Sequence, residues 1–294
     1  MITLELKKKV MLKLAEHRAN FSGSDAKFAV SLGIAGAQYN RIKNGELERV
    51  LSEAKWISLA RMLDVSLSDL PAWKTARTPV YDFIWEQLEF CQNWGASRLM
   101  CDVADIGKTY TAKCYREKNK NVVYVDCSQV KSKNRLIRYI AKEYGVGHTG
   151  NYGDVYEDLV FYLRQLPSPL IILDEAGDLS YEAFLELKAL WNATERCCGW
   201  YMMGADGLRE KVRRSIEFKK VGYAELFSRY GSRYQKASPE SSEEMKEFRT
   251  VLAAMVIGAN SDCKGTDVQR LIAKSECSLR RIYDEINKLR GSQK

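Results

Sequence analysis

The sequence predicts an α/β fold, a parallel sheet between helices, with further helical segments before and after it. Three observations carry this expectation. The run Cys101-Asp102-Val103-Ala104-Asp105-Ile106-Gly107-Lys108-Thr109 has the spacing of a phosphate-binding loop, GxxxxGK[ST], with aspartate where two glycines are usual. It sits between a short apolar run, Leu99-Met100-Cys101, and helix-compatible residues 109–116. Farther on, Leu170-Ile171-Ile172-Leu173 sets four aliphatic residues before Asp174-Glu175, a pattern suited to a strand buried on both faces of a parallel sheet.

Residues 1–70 read as a small helical unit. Ser24 suits the cap of a short helix carrying Phe28, Ala29 and Leu32 on one face. Gly33 permits a sharp turn, and residues 35–43 form a second helix closed by Asn44-Gly45. Two short helices about a glycine turn are the helix-turn-helix pattern, with a generic helical bundle as the competing reading. The second helix would expose Gln38, Tyr39, Asn40, Arg41 and Lys43 toward bases or phosphates. A longer helix follows, with Ala54, Ile57, Ala60 and Leu63, and nearby Trp56, at core spacing.

Pro71 and Pro79 bracket a stretch without periodicity, so residues 71–79 are the expected linker. A P-loop core is expected over residues 80–238. It opens with an amphipathic helix at 81–92 through Phe83, Ile84, Leu88 and Cys91. A second strand, Val122-Val123-Tyr124-Val125, ends at Asp126, and another, Trp200-Tyr201-Met202-Met203, ends at Gly204-Ala205-Asp206. Residues 239–294 read as a helical lid. Met245, Phe248, Leu252 and Met255 form one stripe, and Leu279, Ile282, Ile286 and Leu289, after Ser278 as a cap, form another.

The chemistry follows from residue types. In such a loop backbone N–H groups wrap nucleotide phosphates, Gly107 permits the turn, Lys108 reaches the β/γ-phosphates and Thr109 meets Mg²⁺. Carboxylates at the C-terminal end of a parallel strand fall beside that loop. Asp174 would then complete the Mg²⁺ shell and Glu175 would orient or deprotonate the attacking water. In isolation the pair would merely cap the next helix. Asp102 and Asp105 would oppose the charge of a triphosphate, so ATP is expected to bind more weakly than to a glycine-complete loop, with slow hydrolysis.

Composition bounds the rest. The 294 residues allow two domains, and 46% apolar content is ordinary for a globular protein. No apolar window is long enough to span a bilayer, and the first residues lack a signal-peptide core, so a cytoplasmic protein without a membrane partner is expected. Eight cysteines are scattered without CxxC spacing, and His17 and His148 give little material for a histidine metal site or a Ser-His-Asp triad. A formal charge of +8 hints at a polyanion partner.

Taken in order, these blocks resemble the family of phage Mu B transposition proteins and their transposon relatives, AAA+ ATPases with an N-terminal helix-turn-helix domain. Gly107-Lys108-Thr109 is followed by Ala112 and Tyr115-Arg116, and Ile171-Ile172-Leu173-Asp174-Glu175-Ala176 by Glu186-Leu187 and Leu190. The most specific block is Glu225-Leu226-Phe227-Ser228-Arg229 with Arg233, and the departures are Asp102 and Asp105.

The resemblance implies ATP and Mg²⁺ as cofactors and a homo-oligomer or helical filament on double-stranded DNA, with little sequence preference. It further implies target selection for, or activation of, a DDE transposase. Asp206 would sense the γ-phosphate, Arg280 (with Arg281 beside it) would reach back from the lid, and Arg229 and Arg233 would enter a neighbouring subunit's site. Lys131, Lys133 and Arg135 lead as DNA contacts, with Lys211, Arg213 and Arg214 second. The rival readings are a helix-turn-helix regulator with a degenerate ATPase scaffold, and a plasmid-replication or partition ATPase.

Overall fold

A computed structural model of the chain describes residues 2–63, 65 and 73–292, the side chains of 291 and 292 aside. Four helices come first: α1 (Leu4–Ala19), α2 (Asp25–Ser31), α3 (Gly36–Lys43) and α4 (Glu53–Met62). Ser24 caps α2 by accepting from the Lys27 N–H at 3.3 Å, and Gly33 turns the chain at φ +65° before α3. Phe28 meets Tyr39 edge-on at 5.4 Å, so Tyr39 is 3% exposed and faces the core rather than a partner. The packing stripe of α4 is Trp56, Leu59, Ala60 and Leu63, while Ile57 is half exposed and Ala54 lies on the surface. The tryptophan sets the helix phase, displacing the expected stripe. Helix α1, for which the sequence gives no expectation, buries Val10 and Leu14 against this bundle.

The expected linker differs from a free tether. Residues 71 and 72, like 66–70, lie outside the described residues. Pro79 is the first residue of α5 (Pro79–Trp94), where a missing N–H costs nothing, and Thr78 caps it by accepting from Tyr81 N–H at 3.1 Å.

The remaining elements alternate. After α5 come β1 (Ser97–Cys101), α6 (Lys108–Lys118), β2 (Val122–Asp126), α7 (Lys133–Glu143), α8 (Tyr152–Gln165) and β3 (Leu170–Asp174). A short turn of tight helix (Ala176–Asp178) leads to α9 (Tyr181–Ala193), β4 (Gly199–Gly204), α10 (Asp206–Glu217), α11 (Tyr223–Arg229) and the two-residue β5 (Tyr234–Gln235). Helices α12 (Ser242–Asn260), α13 (Thr266–Ser275) and α14 (Leu279–Ser292) close the chain. Among the described residues five strands form one parallel sheet, in the order β2-β3-β4-β1-β5. This is an α/β P-loop fold.

Period-two alternation divides the core. Val123, Val125, Ile171, Leu173, Trp200 and Met202 point to the layer of α7 to α11, whereas Val122, Leu170, Ile172, Tyr201 and Met203 point to α5 and α6. Gly199 is needed at the start of β4, because a Cβ there would meet the Cys91 carbonyl oxygen at 2.3 Å. Registers pairing Asp126 with Asp174 and Cys101 with Gly204 bring the strand ends level on one edge. Helices α12 to α14 enclose their own cluster of Ala253, Ile257, Leu271, Ile282 and Ile286, while Met255 and Leu289 of the expected stripes are exposed.

Two contacts knit the ends together. The N-terminal bundle meets α6 and α7 through Arg116, which lies 3.2 Å from His17 Nδ1 and donates to Glu143 at 3.0 Å. At the other end Trp73 packs on Tyr283 at 4.8 Å, and the Lys74 backbone exchanges two 2.8 Å hydrogen bonds with the Asn260 side chain. No helix among the described residues is long and apolar enough to cross a membrane.

Candidate nucleotide site

The loop between β1 and α6 turns back on itself at Gly107, whose φ of +97° strains any side chain although the space around its Cβ position is open. That turn starts α6 without a side-chain cap, so its first N–H groups have no helical partner, an arrangement suited to phosphate. Lys108 is 7% exposed, and its Nζ donates to the carbonyls of Asp102 at 2.8 Å and Val103 at 2.6 Å. Burial pulls the ammonium below its usual range, against the opposing pull of Asp102, Asp174 and Glu175.

Asp174, 2% exposed at the end of β3, is held from three sides. Thr109 Oγ1 donates to its Oδ2 at 2.6 Å, Tyr124 Oη donates to the same oxygen at 2.8 Å, and the Glu175 N–H donates to Oδ1 at 2.9 Å. Burial, reinforced by the carboxylate of Asp174, raises the Tyr124 phenol well above its ordinary range, which keeps it a donor. Glu175 adopts φ +49°, and burial followed by the charge of Asp174 raises its carboxyl above the ordinary value. A hydroxyl and a carboxylate this close are the hard oxygen donors that Mg²⁺ takes alongside phosphate oxygens, so the residues fit both nucleotide and metal.

The two aspartates of the loop do not face this space as the sequence suggested. Asp102 is fully buried, and its carboxylate accepts from the N–H groups of Val103 (2.7 Å), Ala237 (2.7 Å) and Ser238 (3.0 Å), and from the Ser238 hydroxyl. Asp105 takes φ +64°, a left-handed geometry that Asp tolerates better than most residues, and its carboxylate accepts from Ser278 Oγ at 2.7 Å. Both side chains are engaged with the segment after β5, so they are not free charges set against a triphosphate.

The other candidates scatter. Asp206 is an exposed first residue of α10. Arg280 is exposed at the start of α14, with its Nε 3.9 Å from Asp105. Arg229 is anchored in its own chain, donating to Asn192 Oδ1 at 2.8 Å over the Trp191 ring, and Arg233 is exposed.

Among the basic residues, Lys131 pairs with Asp178 at 3.1 Å and Lys133 lies 3.9 Å from Glu186, while Arg135 is exposed. Lys211 is committed to the carbonyls of Gly177 and Leu179, and Arg213 and Arg214 to Glu210. On α3, Gln38 spends its amide on the Ala35 N–H and the Val50 carbonyl, Arg41 pairs with Glu46 and Lys43 with Asp25, leaving Asn40 exposed. Sequence reasoning placed Tyr124 in a strand and Ser278 at a helix cap, but missed their hydrogen bonds to Asp174 and Asp105. A lone hydroxyl within the apolar run of β2 was a signal for the first.

The model of the AAA domain matches residues 104–212, which take in the loop from Ala104 onward, β2, β3 and β4. The chain is 24% identical over 274 residues to the Mu-like prophage FluMu DNA transposition protein B of Haemophilus influenzae, a match covering 91% of this chain and 92% of that protein. The chain thus matches the AAA domain at its centre and is similar along nearly its whole length to a Mu-like prophage transposition protein B.

Proposed function

We propose that this chain is an ATPase that assembles on double-stranded DNA and serves a DDE transposase by selecting its target sites. The observation that carries the reading is the 2.6 Å contact between Thr109 and Asp174 beside the buried Lys108, which gathers phosphate-binding and metal-binding groups at one strand edge. Lys108 and the N-terminus of α6 hold the phosphates, Thr109 and Asp174 hold Mg²⁺, and Glu175 orients the attacking water and takes its proton. Bound there, Mg²⁺ would supply positive charge to offset that of the phosphate oxygens. Arg233, which is exposed, and Arg229, which is partly so, serve a neighbouring subunit. DNA contact falls to Arg135 with Lys131 and Lys133, and Asn40 remains on the N-terminal bundle. The name of the Haemophilus relative supports the place in transposition.

Electron microscopy of the protein with duplexes of unrelated sequence, with and without ATP, tests the reading. Regular assemblies on every duplex that need ATP are expected. Neutralising Lys131, Lys133 and Arg135 together should flatten the dependence of log affinity on log salt by about 0.9 for each phosphate no longer neutralised by the protein. Tight binding to one sequence alone, indifferent to ATP, would replace this reading with that of a DNA-binding regulator.

A further inference from the structure

Asp105 joins the phosphate-binding loop to the last helix. Its Oδ2 accepts from Ser278 Oγ at 2.7 Å, its Oδ1 accepts from the Arg280 N–H at 3.3 Å, and Arg280 Nε lies 3.9 Å from that same Oδ1. The first N–H groups of α14 lack helical partners, and the positive end of its dipole favours an anion. The loop supplies that anion from 173 residues away in sequence.

A second observation comes from the far side of the contact. Glu276 and Cys277, directly before Ser278, are consecutive non-glycine residues at φ +52° and +59°. Left-handed backbone at such residues persists where its surroundings hold it. With Asp105 at +64°, three of these residues converge on one junction. Asp102 fastens the start of the same loop to Ala237 and Ser238, so the loop is tied at two points to the segment that carries α12 to α14.

We propose that Asp105 is a positioning residue: it holds Arg280 and the N-terminus of α14 on the loop, and thereby sets how strongly the site discriminates ATP from ADP. The proposal rests on the nucleotide reading above. Arg280 is 84% exposed beyond its backbone tie, so its guanidinium can turn from one anion to another. A γ-phosphate beside the loop competes with Asp105 for that guanidinium. A diphosphate, one phosphate shorter, competes poorly.

Asp105→Asn keeps the size, the tolerance of left-handed geometry and an acceptor for Ser278, while removing the charge that holds Arg280. Calorimetric titration of the whole chain should show ATP binding about threefold tighter in Asp105→Asn and ADP changed by less than about 1.5-fold, the threefold being about 0.7 kcal/mol, as suits a solvent-screened pair. In an Arg280→Ala background the same substitution should leave the ATP/ADP ratio unmoved. A purely structural role would shift both nucleotides alike and persist without Arg280, and that pattern overturns the proposal.

Hydrogen exchange at the Arg280 and Arg281 amides of the nucleotide-free protein gives a readout independent of binding. Faster exchange in Asp105→Asn is expected, and unchanged exchange overturns the anchor itself. Faster exchange with neither nucleotide bound by any variant overturns the nucleotide reading, and the selectivity with it, while upholding the tie between loop and helix.

Discussion

Tyr124 Oη lies 2.8 Å from Asp174 Oδ2, the oxygen that also accepts from Thr109. Two hydroxyl donors on one buried carboxylate oxygen fix its rotamer. Tyr124 also lines a cleft of about 320 Å³ between the N-terminal bundle and helices α6 and α7, bordered by Arg61, Lys113, Arg116 and Lys142. Tyr124→Phe should lower stability by about 1–2 kcal/mol, since hydrogen bonds to charged groups are worth slightly more than that and Thr109 remains. Urea unfolding reads the loss. A variant as stable as the parent would mean that this hydrogen bond carries no weight.

Glu175→Gln should leave nucleotide binding nearly intact and slow hydrolysis by about 10²–10⁴-fold, the usual contribution of a positioned base. Burial and the Asp174 charge raise the Glu175 carboxyl, so turnover of the parent should fall on acidification at a pH above the ordinary carboxylate value of 4.5. A pH–rate profile checks the limb, and single-turnover kinetics check the variant. Unaltered turnover would remove Glu175 from the mechanism.

Arg229 is held by Asn192 and Trp191 on the surface of its own chain. Arg229→Ala should therefore bind nucleotide like the parent as a monomer, yet assemble poorly on DNA and hydrolyse ATP about 10³-fold or more slowly, the lower range for a supplied arginine. Sedimentation with DNA and ATP decides it. Parent-like polymers would exclude a role across subunits.

His17 is pushed down to about 3, chiefly by burial and then by the charges of Arg116 and Lys13. The folded chain thus keeps it neutral while the unfolded chain protonates it near 6.5. The stability this confers is complete above pH 6.5 and declines as pH falls from there toward 3. The decline is at most about 1.4 kcal/mol per pH unit, and less because the ring is partly exposed. His17→Gln, which keeps an acceptor for Arg116, should flatten stability between pH 6.5 and 5. An equal change in unfolding free energy between pH 6.5 and 5 in parent and variant, read by urea unfolding, would refute the assignment.

Much of the sheet was legible because parallel strands buried on both faces must be written as aliphatic runs, as in residues 170–173, and because a loop of GKT spacing marks the strand before it. Strand β5 was not legible, since two residues, Tyr234 and Gln235, carry no period. Helix α1 buries only Val10 and Leu14 among lysines and glutamates, which leaves almost no stripe to read. Tyr39 was misread for a different reason: a tyrosine on a polar helix looks like a contact residue until Phe28 covers it. The partners of Asp102 and Asp105 lie 135 and 173 residues away, so local pattern offered only a charge in an unexpected place.

The strap at residues 73–78 has a mechanical consequence. Lys74 is bonded to Asn260 at the end of α12, and Trp73 lies on Tyr283 of α14. The segment through which the N-terminal bundle joins the rest of the chain is therefore moored to the C-terminal helices before it enters α5. Any swing of α12 to α14 must draw on that mooring or break it. The Asn260 amide is the hook of that mooring.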